Sequence, residues 1–365
     1  MNIEILLTAL LVALSTSLVG VFLVLRRLSM IADAISHTVL LGIVLAFLLT
    51  RDLNSPLLIV GATLMGVLTV YAIELLIKTR NIKEDASIGV IFTLLFAVSI
   101  IIINTLLRDV HLDTHTVLLG NLEFVPFNRM DIFGVSLPAA MVIMGVVLMI
   151  NIGFISLFYK EVKLVSFDTA LAGVLGFAPV IIHYAMMTLV SLTAVAAFDA
   201  VGAILVIALM IAPPLSALQF TKTLFSTILL SLIIAVFNTV VGYAMSIILD
   251  VTISGSIASI ALFTFMVTLI FAPRKGILFQ YLDHKRAKEN IMIDTLIMHI
   301  GNHAGSIDAE DELGEETIHT HMRWSPRMMT TMLEKARAKG LINIENNAIM
   351  LSNKGIARFK TFKEE

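Results

Sequence analysis

The sequence predicts an all-α polytopic membrane protein of about nine transmembrane helices, followed by a small α+β domain. Three observations predict it. The 365-residue chain is 58% hydrophobic and 14% charged, with a mean hydropathy of +0.96. Soluble domains run at about 45–50% apolar and about 25% charged. Apolar runs of about 20 residues, the length that crosses a bilayer core, recur from the N-terminus to about Pro273. From Arg274 onward the composition becomes that of a soluble protein. The net charge of −2 averages two unlike regions and says nothing about partners.

The candidate spans are residues 3–25, 28–50, 55–78, 87–107, 131–158, 178–198, 200–218, 223–249 and 253–273. The first lacks a basic n-region and a small-residue cleavage site, so it is expected to be retained as a span. Residues 198–223 are almost continuously apolar. Asp199-Ala200 is the expected break there. Pro213-Pro214 is expected to end or kink the second piece, because proline lacks an N–H and clashes with the preceding turn. Small residues recur inside the spans (Gly61, Gly66, Gly145, Gly153, Gly202, Ala208, Ala212, Gly255, Ala258), as in bundles whose helices approach closely in lipid.

Lys and Arg in short loops set orientation. Under nine spans, Arg26-Arg27, Lys78, Arg80, Lys83, Lys160, Lys163, Lys222 and Arg274-Lys275 fall on one side. Arg51, Arg108 and Arg129 fall on the other. The N-terminus is therefore expected outside and the C-terminal domain in the cytoplasm of a multi-pass plasma-membrane protein. The domain boundaries are expected at 1–275 for the transmembrane region, 276–289 for a basic helical connector and 290–365 for the soluble domain.

That last domain has its own pattern. Ile293, Leu296, Ile297 and Ile300 recur at helical spacing within residues 290–305. In "SPRMMTTMLEKARAKG", Ser325 suits an N-cap, Pro326 the first turn and Gly340 the stop. "LINIENNAIML" reads as strand, Asn-Asn turn, strand, and residues 353–362 as a final helix. Helix, hairpin and helix in this order have the sequence shape of a winged helix.

The chemistry begins in "MIADAISHTVLLGIVLAFLL", Met30 to Leu49. Asp33 and His37 stand i and i+4 apart and share a helix face. Ionisable groups in a span are costly and face protein or a wet path. A carboxylate oxygen with an imidazole nitrogen suits Mn²⁺, Fe²⁺ or Zn²⁺, and two such ligands favour passing contact over storage. The competing reading is a structural polar patch, in which Asp33, His37 and Ser36 pair with one another. There is no cysteine, which excludes disulfides and thiolate ligands.

The stretch "RRLSMIADAISHTVLLGIVLAFLL" resembles the first signature of the permease subunits of manganese/zinc/iron ABC importers. Arg26, Ser29, Met30, Asp33, Ser36, His37 and Gly42 match it, while Thr38 and Leu41 stand where many relatives have Ala and Pro. Four further stretches match in order: "KEDASIGVIFT" from Lys83, "LLGN" from Leu118, "FDTALAGVLGF" from Phe167 and "AVGAILVIALMIAPPLSA" from Ala200. The resemblance covers about residues 1–275. It implies the compact type II ABC importer permease fold, and a metal-coordinating role for Asp33 and His37 on the translocation path.

"FDTALAGVLGF" follows Lys160, Glu161 and Lys163. Asp168 can N-cap a short helix over 169–174, and Gly176 can end it. The resemblance implies that this segment, with Phe167, Asp168, Ala172, Gly173 and Gly176, is the coupling helix seated on the ATPase subunit. A plain connecting loop is the alternative. On the outer side, alternate spacing would gather His111, Asp113 and His115 as metal contacts, or leave them as polar loop residues. Asp199, at a span edge beside Gly202, is the best candidate among Glu74, Asn104, His183, Asn238 and itself for lining the path.

"SPRMMTTMLEKARAKGLINIENNAIMLSNKGIARF" resembles the winged-helix domains of metal-dependent repressors. Charge argues against DNA as the partner: residues 274–365 hold 14 Lys/Arg against 13 Asp/Glu, and a DNA reader shows a basic face. A protein-contact role, against the ATPase subunits, is expected instead, with an inert appendage as the alternative. His299, His303, His319 and His321 are candidates for a cytoplasmic metal sensor, or are isolated surface histidines.

The chain lacks a G-x-x-x-x-G-K-[ST] phosphate loop, so it is expected to be a transport subunit rather than an enzyme, with ATP hydrolysed by a partner. The expected partners are ABC ATPase subunits, an extracytoplasmic metal-binding protein and a second permease, identical or related. No cofactor is expected to be held permanently, and the transported divalent metal is the cargo. The rival functions are a membrane-tethered, metal-responsive transcription regulator and an ion-driven secondary metal transporter.

Overall fold

In lipid, a chain satisfies its backbone N–H and C=O groups most simply by forming helices, and the long apolar runs do so. A computed structural model describes residues 2–52, 55–79, 82–107, 122–132, 134–273, 275–304, 313–314, 317–345 and 348–364. Among the described residues, nine helices are long and apolar enough to span a membrane. The chain divides into two compact units, residues 1–276 and 277–365.

The first unit opens with α1 (Asn2–Leu25), α2 (Ser29–Thr50), α3 (Leu57–Lys78) and α4 (Glu84–Leu106). A 3₁₀ turn (Leu122–Phe127) and an antiparallel hairpin, β1 (Arg129–Ile132) with β2 (Val135–Pro138), lead into α5 (Ala139–Leu157). Two short helices, α6 (Tyr159–Phe167) and α7 (Thr169–Val174), precede α8 (Pro179–Val201), α9 (Ala203–Phe220), α10 (Leu224–Leu249) and α11 (Ile253–Phe271). Helix α1 packs on α5, α8, α9 and α10, whereas α2 packs on α3 and α4. The most apolar windows of α1 and α2 are 72% buried and those of α4 and α11 only 17%, so α1 and α2 are central and α4 and α11 peripheral.

Three expectations are corrected here. The span expected from residue 131 starts at Ala139, and β1 and β2 precede it as a hairpin. Gly134 turns with φ +83°, and Pro138 (φ −58°, ψ 129°) directs the chain into α5. The break between α8 and α9 falls at Gly202 and not at Asp199-Ala200. Gly202 has φ +80° and ψ 159°, a conformation that is essentially glycine-only. Pro213 and Pro214 do not end α9, which continues to Phe220. Pro214 has no N–H to return to the carbonyl of Met210, and α1 closes on that carbonyl. A Cβ on Gly20 would lie 2.0 Å from Met210 O.

Other glycines also decide how close the helices come. A Cβ on Gly66 would meet Ser191 Oγ at 2.0 Å, and one on Gly42 would meet Gly61 O at 2.5 Å. Gly145 and Gly153 face open space and seat no helix. Side-chain hydrogen bonds add to the packing. Asn151 Nδ2 donates to Ser15 Oγ (2.9 Å) and Thr193 Oγ1 (2.8 Å), joining α5, α1 and α8. Thr69 Oγ1 donates to Thr38 Oγ1 at 2.8 Å, and the Ser17 and Ser231 hydroxyls lie 2.7 Å apart. Such links contribute on average about 0.6 kcal/mol, up to about 1.7 kcal/mol.

The second unit starts with one helix, α12 (Ile277–His303), so the expected connector and the amphipathic helix are one element. Its Ile293, Leu296, Ile297 and Ile300 are buried. They form a core with Ile318 of the short α13 (Ile318–His321) and with Met329, Met332, Leu333 and Ala336 of α14 (Pro326–Ala338). Gly340 (φ +68°) closes α14: its N–H donates to Arg337 O, and Leu341 N–H donates to Ala336 O. That is the Schellman pattern. The strands β3 (Ile342–Glu345) and β4 (Ala348–Leu351) pair antiparallel before α15 (Asn353–Glu364). Glu289 and Lys335 pair between α12 and α14.

Candidate metal site and coupling element

Helix α2 carries Asp33 and His37 on one face because 3.6 residues per turn brings i and i+4 together. His37 Nε2 lies 3.7 Å from Asp33 Oδ1, beyond hydrogen-bond length, so both groups keep lone pairs for a third species. Their side chains are 50% (Asp33) and 32% (His37) exposed in the single chain. The Ser36 hydroxyl donates to the Asp33 carbonyl at 2.6 Å and leaves the carboxylate alone, which weakens the polar-patch reading. His37 stacks on Phe92 of α4 (5.4 Å between centroids, 27°) and meets Phe96 edge-on (5.7 Å, 75°). These two rings hold the imidazole. Phe92 lies inside a recognisable motif, but no sequence pattern gives either ring a role.

The structure ranks two polar groups that the sequence left unranked. Glu74 near the end of α3 meets His183 in the first turns of α8, with Oε1 and Nε2 in direct contact. Tyr184 Oη donates to Glu74 Oε2 at 2.8 Å. His183 and Glu74 are distant in sequence, so no local spacing announces them. Asp199 lies in the last turn of α8; its side chain, like His111, Asp113 and His115, is outside the described residues.

The short helix α7 forms over the expected residues. Asp168 Oδ1 accepts from Leu171 N–H at 2.9 Å and caps it. Gly176 (φ +85°) ends it, with Gly176 N–H bonded to Gly173 O and Phe177 N–H to Ala172 O. Ala172 is fully buried. Phe167, Leu171, Val174 and Leu175 are exposed, and nothing lies within 4 Å of a Cβ built on Gly173. One side of the element is anchored and the other presents an apolar face.

In the second unit, the His299 and His303 rings lie 4.7 Å apart between centroids. His319 Nε2 sits 3.3 Å from Thr320 Oγ1. Among the described residues, no group of three or more His, Cys, Asp or Glu gathers as a metal site, so the four histidines do not form one. Lys335 beside Glu289 holds that carboxyl below its ordinary range.

Comparison with known proteins gives concordant results. The profile of the ABC 3 transport family matches residues 2–272, a range that ends close to the first unit's boundary. The zinc transport system membrane protein TroD of Treponema pallidum is 38% identical over 357 residues, covering 98% of this chain and 97% of the relative. The manganese transport system membrane protein MntD of Bacillus subtilis is 43% identical over 272 residues, covering 74% and 92%. Among solved structures, PsaBC from Streptococcus pneumoniae in complex with Fab aligns with a TM-score of 0.63 at 30% identity, covering 77% of this chain and 94% of that one.

Proposed function

Because the chain belongs to the ABC 3 transport family, we propose that it is the membrane permease of an ATP-driven importer of divalent transition metal ions: manganese, zinc or iron. The observation that carries the reading is the Asp33–His37 pair, partly exposed on a central span and walled by Phe92 and Phe96. Oxygen and nitrogen ligands of this kind accept all three metals. A site with two protein ligands holds an ion weakly enough to pass it on. Relatives named as zinc and manganese transport membrane proteins support the cargo class.

The anchored helix α7, with its exposed Phe167, Leu171, Val174 and Leu175, is the surface on which a separate ATPase subunit docks. A second permease copy, identical or related, completes the path, and an extracytoplasmic metal-binding protein delivers the ion. His111, Asp113 and His115 would receive it there, and Asp199 lines the path. The Lys and Arg distribution supports a cytoplasmic position for α7 and the C-terminal unit. That unit is a winged-helix domain that contacts protein, with His299, His303, His319 and His321 as its candidates for metal sensing. The test is uptake of Mn²⁺, Zn²⁺ and Fe²⁺ by cells carrying Asp33→Ala or His37→Ala. Loss of uptake is expected. Unchanged uptake of all three metals, with the variants present in the membrane, would refute the site.

A further inference from the structure

The Glu74–His183–Tyr184 cluster combines a carboxylate, an imidazole and a phenol from two spans, outside the Asp33–His37 site. His183 is 9% exposed; its Nε2 lies against Glu74 Oε1, but neither ring nitrogen has a hydrogen-bond partner among the described residues. A buried histidine held only for packing normally satisfies both ring nitrogens. Glu74 keeps 28% of its side-chain surface exposed, so an ion can reach the pair.

Its depth follows from the helices. Gly66 of α3, Ser191 of α8 and Ile35 of α2 meet at one level, since a Cβ on Gly66 would touch both Ser191 Oγ and Ile35 Cγ2. Glu74 is eight residues beyond Gly66, and His183 eight before Ser191. At 1.5 Å per residue both lie about 12 Å from that level, toward the end of the bundle where α3 stops and α8 starts. Asp33 lies about 3 Å from the same level in the same direction. The cluster therefore sits about 9 Å beyond Asp33 along the helix axes, between the Asp33–His37 pair and the end that carries α7.

We propose that Glu74 and His183, with Tyr184 orienting the carboxylate, form a second station for a divalent transition metal ion, occupied after the ion leaves Asp33 and His37. The proposal rests on the metal-import reading above. Imidazole nitrogen and carboxylate oxygen are the same donor set as the first pair. The ion binds at Nε2 and Oε1 and displaces any proton held there. Tyr184 Oη, bonded to Oε2, fixes the carboxylate as outer-shell partners do. Lys78 stands four residues after Glu74 on α3, and its positive charge on the same face keeps cation binding weak, as release requires.

The test is a Co²⁺ titration of the purified full chain in lipid nanodiscs, read by visible absorption and bound stoichiometry. In a background in which His111, His115, His299, His303, His319 and His321 are replaced by Gln, two binding phases per chain are expected. Asp33→Asn with His37→Gln should leave one phase. Glu74→Gln or His183→Gln added to that background should remove it. Tyr184→Phe should weaken it by about tenfold or more without abolishing it. Size-exclusion profiles identify any variant that fails to fold, and the Tyr184→Phe shift then serves as the readout. The station is overturned if the Asp33/His37 variant binds no Co²⁺. It is also overturned if its remaining phase survives Glu74→Gln and His183→Gln, which would make the cluster an interhelical tie only. If the Glu74-dependent phase persists and the Asp33/His37 variant matches the wild type, the station stands and the first site fails.

Discussion

The two carboxylate–imidazole pairs of the membrane region differ in how they are built. Asp33 and His37 lie on one turn of one helix, and their 3.7 Å separation leaves both ligating groups open. Glu74 and His183 come from α3 and α8 and are in contact, with Tyr184 bonded to the carboxylate. The first pair needs only a helix to exist. The second needs two helices at a fixed distance, which Gly66 sets by admitting Ser191. A site within one helix survives movement between helices, whereas a site between helices is made or unmade by it. Movement of α3 against α8 would therefore change the second pair while leaving the first intact.

This contrast can be broken experimentally, and the largest effect is expected at the first pair. Asp33→Ala or His37→Ala should reduce metal uptake by tenfold or more, measured at matched membrane levels. Gly66→Val comes next. The added side chain drives α3 from α8, with overpacking of about 1–3 kcal/mol, and thermal melting in nanodiscs reads it. It should disturb Co²⁺ binding at Glu74 and His183 while sparing the Asp33-dependent phase. Equal loss of both phases would mean that the two pairs are one mechanical unit.

Asn151→Ala tests whether a purely structural polar link behaves differently from either pair. It strips Ser15 and Thr193 of their donor and should lower stability by about 1–2 kcal/mol with metal stoichiometry unchanged. Asp168→Ala removes the cap of α7 and should destabilise that helix by about 1 kcal/mol. Uptake should fall without any change in Co²⁺ binding, separating coupling from coordination.

The smallest effect lies in the second unit. The Glu289 carboxyl is held below its ordinary value first by the hydrogen bond from Lys335. A depressed carboxylate contributes stability above its unfolded pKa and loses it as pH falls through its folded one. Acidification below the ordinary carboxylate range should therefore loosen α12 from α14. Glu289→Gln should flatten that acid limb in hydrogen-exchange measurements of α14. A limb identical to wild type would assign the acid response to other carboxylates.

Much of this was legible in the sequence because it is local. The spans, the Asp33–His37 spacing, the Asp168 cap and the Gly176 and Gly340 stops each depend on residues within a turn or two. The errors arose where composition and backbone disagree. Residues 131–138 border an apolar run, yet Gly134 and Pro138 turn them into a hairpin. Asp199 marked a polar interruption, but the chain breaks at Gly202, where φ +80° admits glycine. Pro213-Pro214 read as an end or a kink, and of the two the end is excluded, since α9 runs through to Phe220.

The sequence by itself determined that the chain is built to cross a membrane repeatedly, where its one-turn carboxylate–imidazole pair lies and which short segment is capped at both ends. Hydropathy, 3.6-residue periodicity and capping act over a few residues, so they can be read along the chain. Only the tertiary structure decided that Glu74 meets His183, that Phe92 and Phe96 wall His37, and that Gly20 and Gly66 are the closest approaches. Those contacts depend on how rotated helices pack against one another, and no local spacing encodes that.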